Sequence, residues 1–221
     1  YYNPFMEIKK IGILGSGIVA QQLASGFLKL DYEVKLGSRN PEKLKDWIGK
    51  AGKKASAGKF ADAAKFGELI VLAVNGNSVE EALKLAMPSN FKNKIVIDVT
   101  NPLIFEKEGE LPKQAIGFPD SLGMKVQKIL PNAKVVKALN MVPASYMTTP
   151  NLEEGIPDLF IAGNEDGKKR INEILNKWGW QGIHDIGGIE QAYLIEALAM
   201  IWIRYGFMNN YWTHAWKLLK K

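Results

Sequence analysis

The sequence has no cysteine and only two histidines, His184 and His214, among its 221 residues. The lack of cysteine excludes disulfides, thiolate catalysis and cysteine metal sites. Two histidines make a histidine-based metal site improbable as well, so we expect no bound metal.

Long apolar runs are also missing. The longest runs, Leu69 to Val74 and Ala197 to Ile203, are too short to cross a bilayer. We expect no signal peptide ahead of the first predicted strand. We therefore expect a cytoplasmic protein without a membrane partner. Tyr1 to Phe5, ahead of Met6, are left out of the fold prediction.

The chain carries a net charge of +6 but contains no run of basic residues. Its lysines are scattered through amphipathic segments, and no aromatic platform is interleaved with them. This pattern is typical of a solvated basic surface, so we expect no nucleic-acid partner.

The most informative motif lies at residues 11–20, where an apolar strand runs into Gly15-x-Gly17-x-x-Ala20 and then into a helix. The first glycine permits a tight turn, the second lets the backbone approach a pyrophosphate, and the alanine keeps helix and strand close. The N-terminus of the helix adds free N–H groups and a partial positive charge. The predicted pyrophosphate site consists of Gly15, Ser16, Gly17, Ile18 and Val19.

The end of the second predicted strand indicates which dinucleotide binds. Glu33 to Leu36 leads into Gly37-Ser38-Arg39, and Arg39 lies 22 residues beyond Gly17. An NAD-specific fold places a carboxylate near this point, on the ribose 2′-hydroxyl. Here Ser38 offers a hydroxyl and Arg39 a charged fork suited to a 2′-phosphate, to which Lys43 adds charge. The sequence therefore predicts NADP(H) rather than NAD(H).

Strands and helices continue to alternate along the chain. Continuous apolar runs at Leu69 to Val74 and Ile95 to Val99 are typical of parallel strands buried on both faces. We expect further strands at residues 133–139, 159–162 and 182–186, and a helix at residues 165–178. The predicted fold is α/β, a Rossmann-type doubly wound, mostly parallel sheet with appended C-terminal helices. Its strand ends make Val74, Asn75, Asn101 and Pro102 candidates for contacting ribose and nicotinamide.

Two segments fall outside this alternation. Phe105 to Pro119 is the only long irregular stretch, either a lid or a surface excursion. After Gly187-Gly188 the chain becomes strongly apolar, so we divide it into an NADP-binding domain (residues 6–187) and a C-terminal helical segment (residues 188–221). An apolar stripe in that segment indicates core or a homodimer interface, or else a pocket wall for a flat acceptor ring. The stripe comprises Leu194, Leu198, Ile201 and Tyr205, followed by an aromatic tail with Phe207, Tyr211, Trp212 and Trp216.

These motifs together resemble the deazaflavin-dependent NADP oxidoreductases and their bacterial dinucleotide-binding relatives. The resemblance runs from Met6 over nearly the whole chain. It includes Gly37-Ser38-Arg39, the segment 98–103 (Asp-Val-Thr-Asn-Pro-Leu), the segment 135–140 (Val-Val-Lys-Ala-Leu-Asn) and the helix containing Glu196. The chain is also similar to the reductase domain of six-transmembrane metalloreductases. The resemblance implies that Ser38 and Arg39 hold the 2′-phosphate. It also implies that the backbone of Asn140, Val142 and Ala144 docks the nicotinamide carboxamide.

Three functions remain open from the sequence. Hydride transfer between NADPH and a flavin-like or deazaflavin ring needs two stacked rings and no side-chain nucleophile. Reduction of a small imine or carbonyl needs a proton donor, for which Tyr193 is the weak candidate. A non-enzymatic NADP sensor would instead change its association with a partner. We favour the first, an oxidoreductase with a small-molecule hydride acceptor.

Overall fold

The protein is described by a computed structural model that covers residues 8–107 and 109–219, so Tyr1 to Phe5 and Met6 lie outside the described residues. The strands are β1 (Lys10–Leu14), β2 (Glu33–Gly37), β3 (Ala55–Gly58), β4 (Leu69–Leu72), β5 (Ile95–Asp98), β6 (Leu103–Ile104), β7 (Lys113–Gln114), β8 (Lys134–Lys137), β9 (Asp158–Gly163) and β10 (Gly182–Asp185). The helices are α1 (Ile18–Lys29), α2 (Lys45–Ala51), α3 (Phe60–Phe66), α4 (Val79–Ala86), α5 (Leu122–Ile129), α6 (Glu165–Lys177) and α7 (Ala192–Asn209).

Eight strands form one sheet in the order β10-β9-β8-β5-β4-β1-β2-β3. Adjacent strands in this sheet are parallel except β8 and β9, which pair antiparallel. From β1 the chain moves outward to β2 and β3, then returns to place β4 on the other side of β1. This reversal puts the topological switch point between β1 and β4, where open α/β sheets bind their ligands. The predicted mostly parallel, doubly wound sheet is confirmed.

Helices cover both faces of the sheet because alternate strand residues point to opposite sides. Ile11 and Ile13 of β1 join a core cluster with Leu23 and Phe27 of α1. Leu14, the last residue of β1, joins the cluster on the other face, which contains residues of α3, α4 and α5. The continuous apolar runs in the sequence therefore correspond to strands buried on both faces, as predicted.

The segment from Phe105 to Pro119 is less irregular than expected. Within it lies β7, which pairs antiparallel with β6 in a separate two-stranded sheet. The pairing is extended by a hydrogen bond from the Ala115 N–H to the Pro102 carbonyl, with an N···O distance of 2.7 Å. These two strands have only two residues each, too short for the alternation of apolar residues that identifies a strand in sequence.

The C-terminal segment differs from the expectation in two ways. Helix α7 ends at Asn209, and the described residues beyond it, 210–219, form no further helix. The predicted stripe does not form core, since Leu194, Ile201 and Tyr205 are 46%, 57% and 50% exposed. Leu198 is partly buried against the core, while Ala192, Ile195, Glu196 and Ala199 occupy the fully buried face. The homodimer interface remains a prediction.

The described helices include none that is both long enough and apolar enough to span a membrane. Even α7, with 18 residues, is interrupted by Glu196 and Arg204.

The residues after α7 are fixed to the start of β9 by Asp158. One carboxylate oxygen accepts from Lys217 Nζ at 2.8 Å, and the other accepts from the Leu218 N–H at 3.0 Å and contacts His184 Nε2 at 2.8 Å. Burial works against the ionised carboxylate, but the hydrogen bonds from Lys217 and His184 outweigh it and hold the pKa of Asp158 below its usual range. The carboxylate therefore stabilises the folded protein while it is charged.

This lowered pKa predicts a pH-dependent stability difference for Asp158→Asn. The contribution of Asp158 is complete above the unfolded carboxyl pKa of about 4 and is lost as pH falls through the lower folded value. The loss therefore follows protonation of Asp158. We expect the gap in urea midpoint between wild type and Asp158→Asn to be widest near neutral pH and to close in acid. The exposed control Asp46→Asn should show a small gap, and a constant gap for Asp158→Asn would contradict the assignment.

Candidate functional site

The glycine turn after β1 forms the centre of the site. Gly15 has φ +142°, and a Cβ there would lie 2.3 Å from the Ala73 carbonyl oxygen at the end of β4. At Gly17 a Cβ would meet no atom within 4 Å, so the space in front of it is open. Within the described chain, no side chain caps α1 and its first turn holds no acidic residue. Its first N–H groups are therefore free to bind an anion, which fits the pyrophosphate of a dinucleotide.

A cavity of about 290 Å³, called here the β2-side cavity, opens between this turn and the end of β2. It gathers most of the residues predicted for the pyrophosphate and the 2′-phosphate. The predicted residues that line it are Gly15, Ser16, Gly17, Ser38, Arg39, Lys43, Val74 and Asn75.

Ser38 and Arg39 have different surroundings in this cavity. The Ser38 hydroxyl is buried, donates to Ser16 Oγ at 3.3 Å and accepts from the Asn40 N–H at 3.1 Å, so it ties the glycine turn to β2. The Arg39 side chain is 68% exposed and lies 3.6 Å from a carboxylate oxygen of Glu81, a residue outside the predicted site. Lys59 donates to the Arg39 carbonyl at 2.7 Å and holds its backbone.

A second cavity, of about 370 Å³, is called here the β5-side cavity because it lies between the first turn of α1 and the loops after β4 and β5. None of its described lining residues carries an acidic, basic, phenolic or thiol side chain. The one hydroxyl, on Thr100, is buried and donates to Asp98 Oδ1 at 2.6 Å. The lining residues are Gly17, Ile18, Val19, Ala73, Val74, Asn75, Gly76, Asn77, Val99, Thr100, Asn101, Leu103 and Phe105.

Asn101, in the lining of the β5-side cavity, contacts Asn140, which lies outside that lining. Asn101 and Asn140 interlock, since Asn101 Nδ2 donates to the Asn140 carbonyl at 2.7 Å and Asn140 Nδ2 donates to Asn101 Oδ1 at 2.8 Å. Tyr193 packs edge-on against Phe118, with ring centroids 5.4 Å apart. In the described chain, the predicted residues that line neither cavity are Pro102, Asn140, Val142, Ala144 and Tyr193.

A buried ionic network supports the loop after β5. Lys137 Nζ, at the end of β8, lies 2.8 Å from Asp98 Oδ2 and 3.0 Å from Glu196 Oε1, and all three side chains are 0% exposed. It also donates to the Thr100 carbonyl at 2.7 Å. Burial opposes its charge, but the facing carboxylates outweigh that cost and raise the pKa of Lys137. The ammonium therefore holds Thr100, a wall of the β5-side cavity, in place.

Glu196 connects this network to two helices. From α7, its carboxylate accepts the N–H groups of Leu122 and Gly123 at the start of α5, at 3.0 Å and 2.9 Å. A carboxylate at a helix N-terminus is favoured by the helix dipole. This role could not be read from the sequence around Glu196, although a lone lysine in the apolar run Val135-Val136-Lys137-Ala138-Leu139 indicates a buried partner.

The glycine cradle at the switch point and a cation at the end of β2 define a Rossmann-type dinucleotide-binding protein. Comparison with known proteins gives the family. The model of a family described as "NADP oxidoreductase coenzyme F420-dependent" matches residues 10–102. The crystal structure of a candidate F420-dependent NADP reductase from Arthrobacter sp. FB24 is 32% identical, with a TM-score of 0.90, and the match covers 97% of this chain and 100% of that one. The chain belongs to this family of NADP-dependent oxidoreductases.

Two curated proteins are similar over most of this chain. The F420-dependent NADP reductase of Methanocaldococcus jannaschii is 28% identical over 207 residues, covering 88% of this chain and 91% of that protein. Metalloreductase STEAP3 of Rattus norvegicus is 28% identical over 195 residues, covering 88% of this chain. The chain spans only 37% of the length of STEAP3, so the likeness concerns one part of that protein. The predicted resemblance to both groups is confirmed.

Proposed function

We propose that the protein transfers hydride between NADP(H) and a deazaflavin or flavin-like acceptor. The observation that carries this proposal is the β5-side cavity, whose described lining offers apolar and amide groups but no proton donor with a free side chain. Hydride transfer between two flat rings needs close, parallel placement, whereas carbonyl or imine reduction also needs a positioned acid. The cavity suits the first reaction better.

The β2-side cavity supports NADP(H) as the dinucleotide. We propose that the N–H groups of the first turn of α1 hold the pyrophosphate and that Arg39 and Lys43 hold the 2′-phosphate. Asn75 and Asn101, which line the β5-side cavity, would orient the ribose and nicotinamide. When bound, NADPH would supply the hydride or NADP⁺ would accept it, and the protein's part is to place the reacting rings and keep water from between them.

Two findings support a deazaflavin or flavin-like ring as the hydride acceptor. The first is the name of the M. jannaschii relative, an F420-dependent NADP reductase that is similar over 88% of this chain. The second is a pair of exposed apolar side chains in the lining of the β5-side cavity, Ile18 at 81% and Phe105 at 59% exposure, which a flat ring would cover. Tyr193, the candidate acid for an imine or carbonyl reductase, lines neither cavity in the described chain.

Rapid anaerobic mixing tests the proposal directly. Protein loaded with NADPH carrying deuterium at nicotinamide C4 is mixed with a deazaflavin and, separately, with flavin mononucleotide. We expect loss of the reduced nicotinamide absorbance, with deuterium recovered on the ring of the reduced deazaflavin. The one proton that completes the reduction after hydride transfer comes from water, so Tyr193→Phe should leave the rate unchanged. Tight NADPH binding without transfer to either acceptor would overturn the proposal.

A further inference from the structure

The first turn of α4 carries two adjacent glutamates with different environments. Glu80 pairs with Lys125 of α5, away from the β2-side cavity. Glu81 lines that cavity and lies 3.6 Å from the Arg39 guanidinium across it. Both glutamate side chains are more than half exposed, so neither ion pair is a major stabilising contact.

A carboxylate in this position is unfavourable for a site that binds only a 2′-phosphate. The phosphate carries nearly two negative charges and would bind Arg39 in the cavity that Glu81 also lines. Like charges a few ångströms apart in a partly exposed site repel each other enough to change an affinity about three- to tenfold. To bind the phosphate, the Arg39 guanidinium must also either break its contact with Glu81 or contact both groups at once.

The Glu81 carboxylate favours the binding of a dinucleotide that lacks the 2′-phosphate. Dinucleotide-binding folds specific for NAD hold the ribose 2′-hydroxyl with an acidic side chain. That side chain normally follows β2, where this chain has Ser38 and Arg39 instead. Here α4 brings Glu81 to the same cavity from a later part of the chain, so one cavity contains a cation for a phosphate and an acceptor for a hydroxyl.

We propose that Glu81 is a specificity-determining residue that opposes Arg39, weakening the binding of the 2′-phosphorylated dinucleotide and supporting the unphosphorylated one. The inference rests on the proposed function, because it assumes that the adenosine ribose occupies the β2-side cavity. It predicts that selectivity for NADP over NAD is set by the balance of these two side chains and rises when Glu81 loses its charge.

The test is calorimetric titration of the full chain with NADP⁺, NAD⁺, 2′,5′-ADP and 5′-AMP. Glu81→Gln should bind NADP⁺ and 2′,5′-ADP about three- to tenfold more tightly than wild type, and NAD⁺ and 5′-AMP more weakly. Glu80→Gln is the matched control, since it removes the same charge from the same helical turn outside the cavity, and it should change neither affinity. Added salt should shrink the gain of Glu81→Gln because the partners are exposed.

The outcomes distinguish a failure of the inference about Glu81 from a failure of the proposed function. Equal effects of Glu81→Gln and Glu80→Gln would overturn the inference, since only net charge would then matter. Weaker NADP⁺ binding by Glu81→Gln would overturn it too, because Glu81 would then be positioning Arg39 for the phosphate. Failure of wild type itself to bind NADP⁺ or 2′,5′-ADP would instead overturn the proposed function. Arg39→Ala, which should lose 2′,5′-ADP but not 5′-AMP, reports where the phosphate binds.

Discussion

Lys137→Met is expected to lower the free energy of unfolding by about 3–5 kcal/mol, the usual cost of removing one partner from a buried ion pair. The methionine leaves Asp98 and Glu196 facing each other without the cation that lies 2.8 Å and 3.0 Å from them. Both carboxylates are fully buried, so water cannot replace the lost ammonium without opening the core. The loop that carries Thr100 also loses the hydrogen bond to its carbonyl.

The measurement is urea unfolding of wild type and variant, followed by circular dichroism. Lys113→Met is the matched control, because it breaks a lysine–carboxylate pair of the same 2.8 Å length, with Glu106, at the surface. That control should cost less than about 1 kcal/mol. In the double variant Lys137→Met with Glu196→Gln, part of the lost stability should return, since one of the two unpaired charges is removed. Similar costs for Lys137→Met and Lys113→Met would refute the role given to the network.

Features that depend on neighbouring residues could be predicted from the sequence. Gly15 and Gly17 identify the turn because a strand precedes them and a helix follows them within a few residues. Arg39 could be proposed for the 2′-phosphate because it stands at a fixed place after β2. The buried strands could be predicted for the same reason, since the continuous apolar run that begins at Leu69 indicates burial, and Leu69 to Leu72 are buried in the structure.

Features that depend on packing between distant segments could not be predicted in the same way. Glu81 reaches the β2-side cavity only because β4 returns beside β1, and nothing in the sequence around it marks the contact. Helix α7 is apolar around most of its circumference, so its periodicity does not say that Ile195 is buried while Ile201 is exposed. Lys137 is the intermediate case. The sequence of its strand predicts that Lys137 is buried, but it does not predict that Glu196 is its partner.

Gly17→Ala is expected to weaken binding of both NADP⁺ and NAD⁺ by a factor on the order of a hundred while leaving the fold intact. An added Cβ meets no protein atom within 4 Å, and φ of −80° is allowed for alanine. The methyl group instead occupies the space that a pyrophosphate needs to reach the first N–H groups of α1. Losing two hydrogen bonds to a charged group, at roughly 1.5 kcal/mol each, which is the lower end of their usual range, gives a loss of this size.

Titration of Gly17→Ala and wild type with each dinucleotide, beside thermal unfolding without ligand, separates binding from stability. As a helix N-cap, alanine costs up to about 1 kcal/mol relative to better caps, so only a small fall in melting temperature is expected. Gly49→Ala in α2 is the control, because its added Cβ also meets no atom within 4 Å but lies away from both cavities. It should bind both dinucleotides as wild type does. Wild-type affinity in Gly17→Ala would show that the pyrophosphate binds elsewhere. Because the pyrophosphate is common to both dinucleotides, the loss should be equal for the two, unlike the selective changes expected at Arg39 and Glu81.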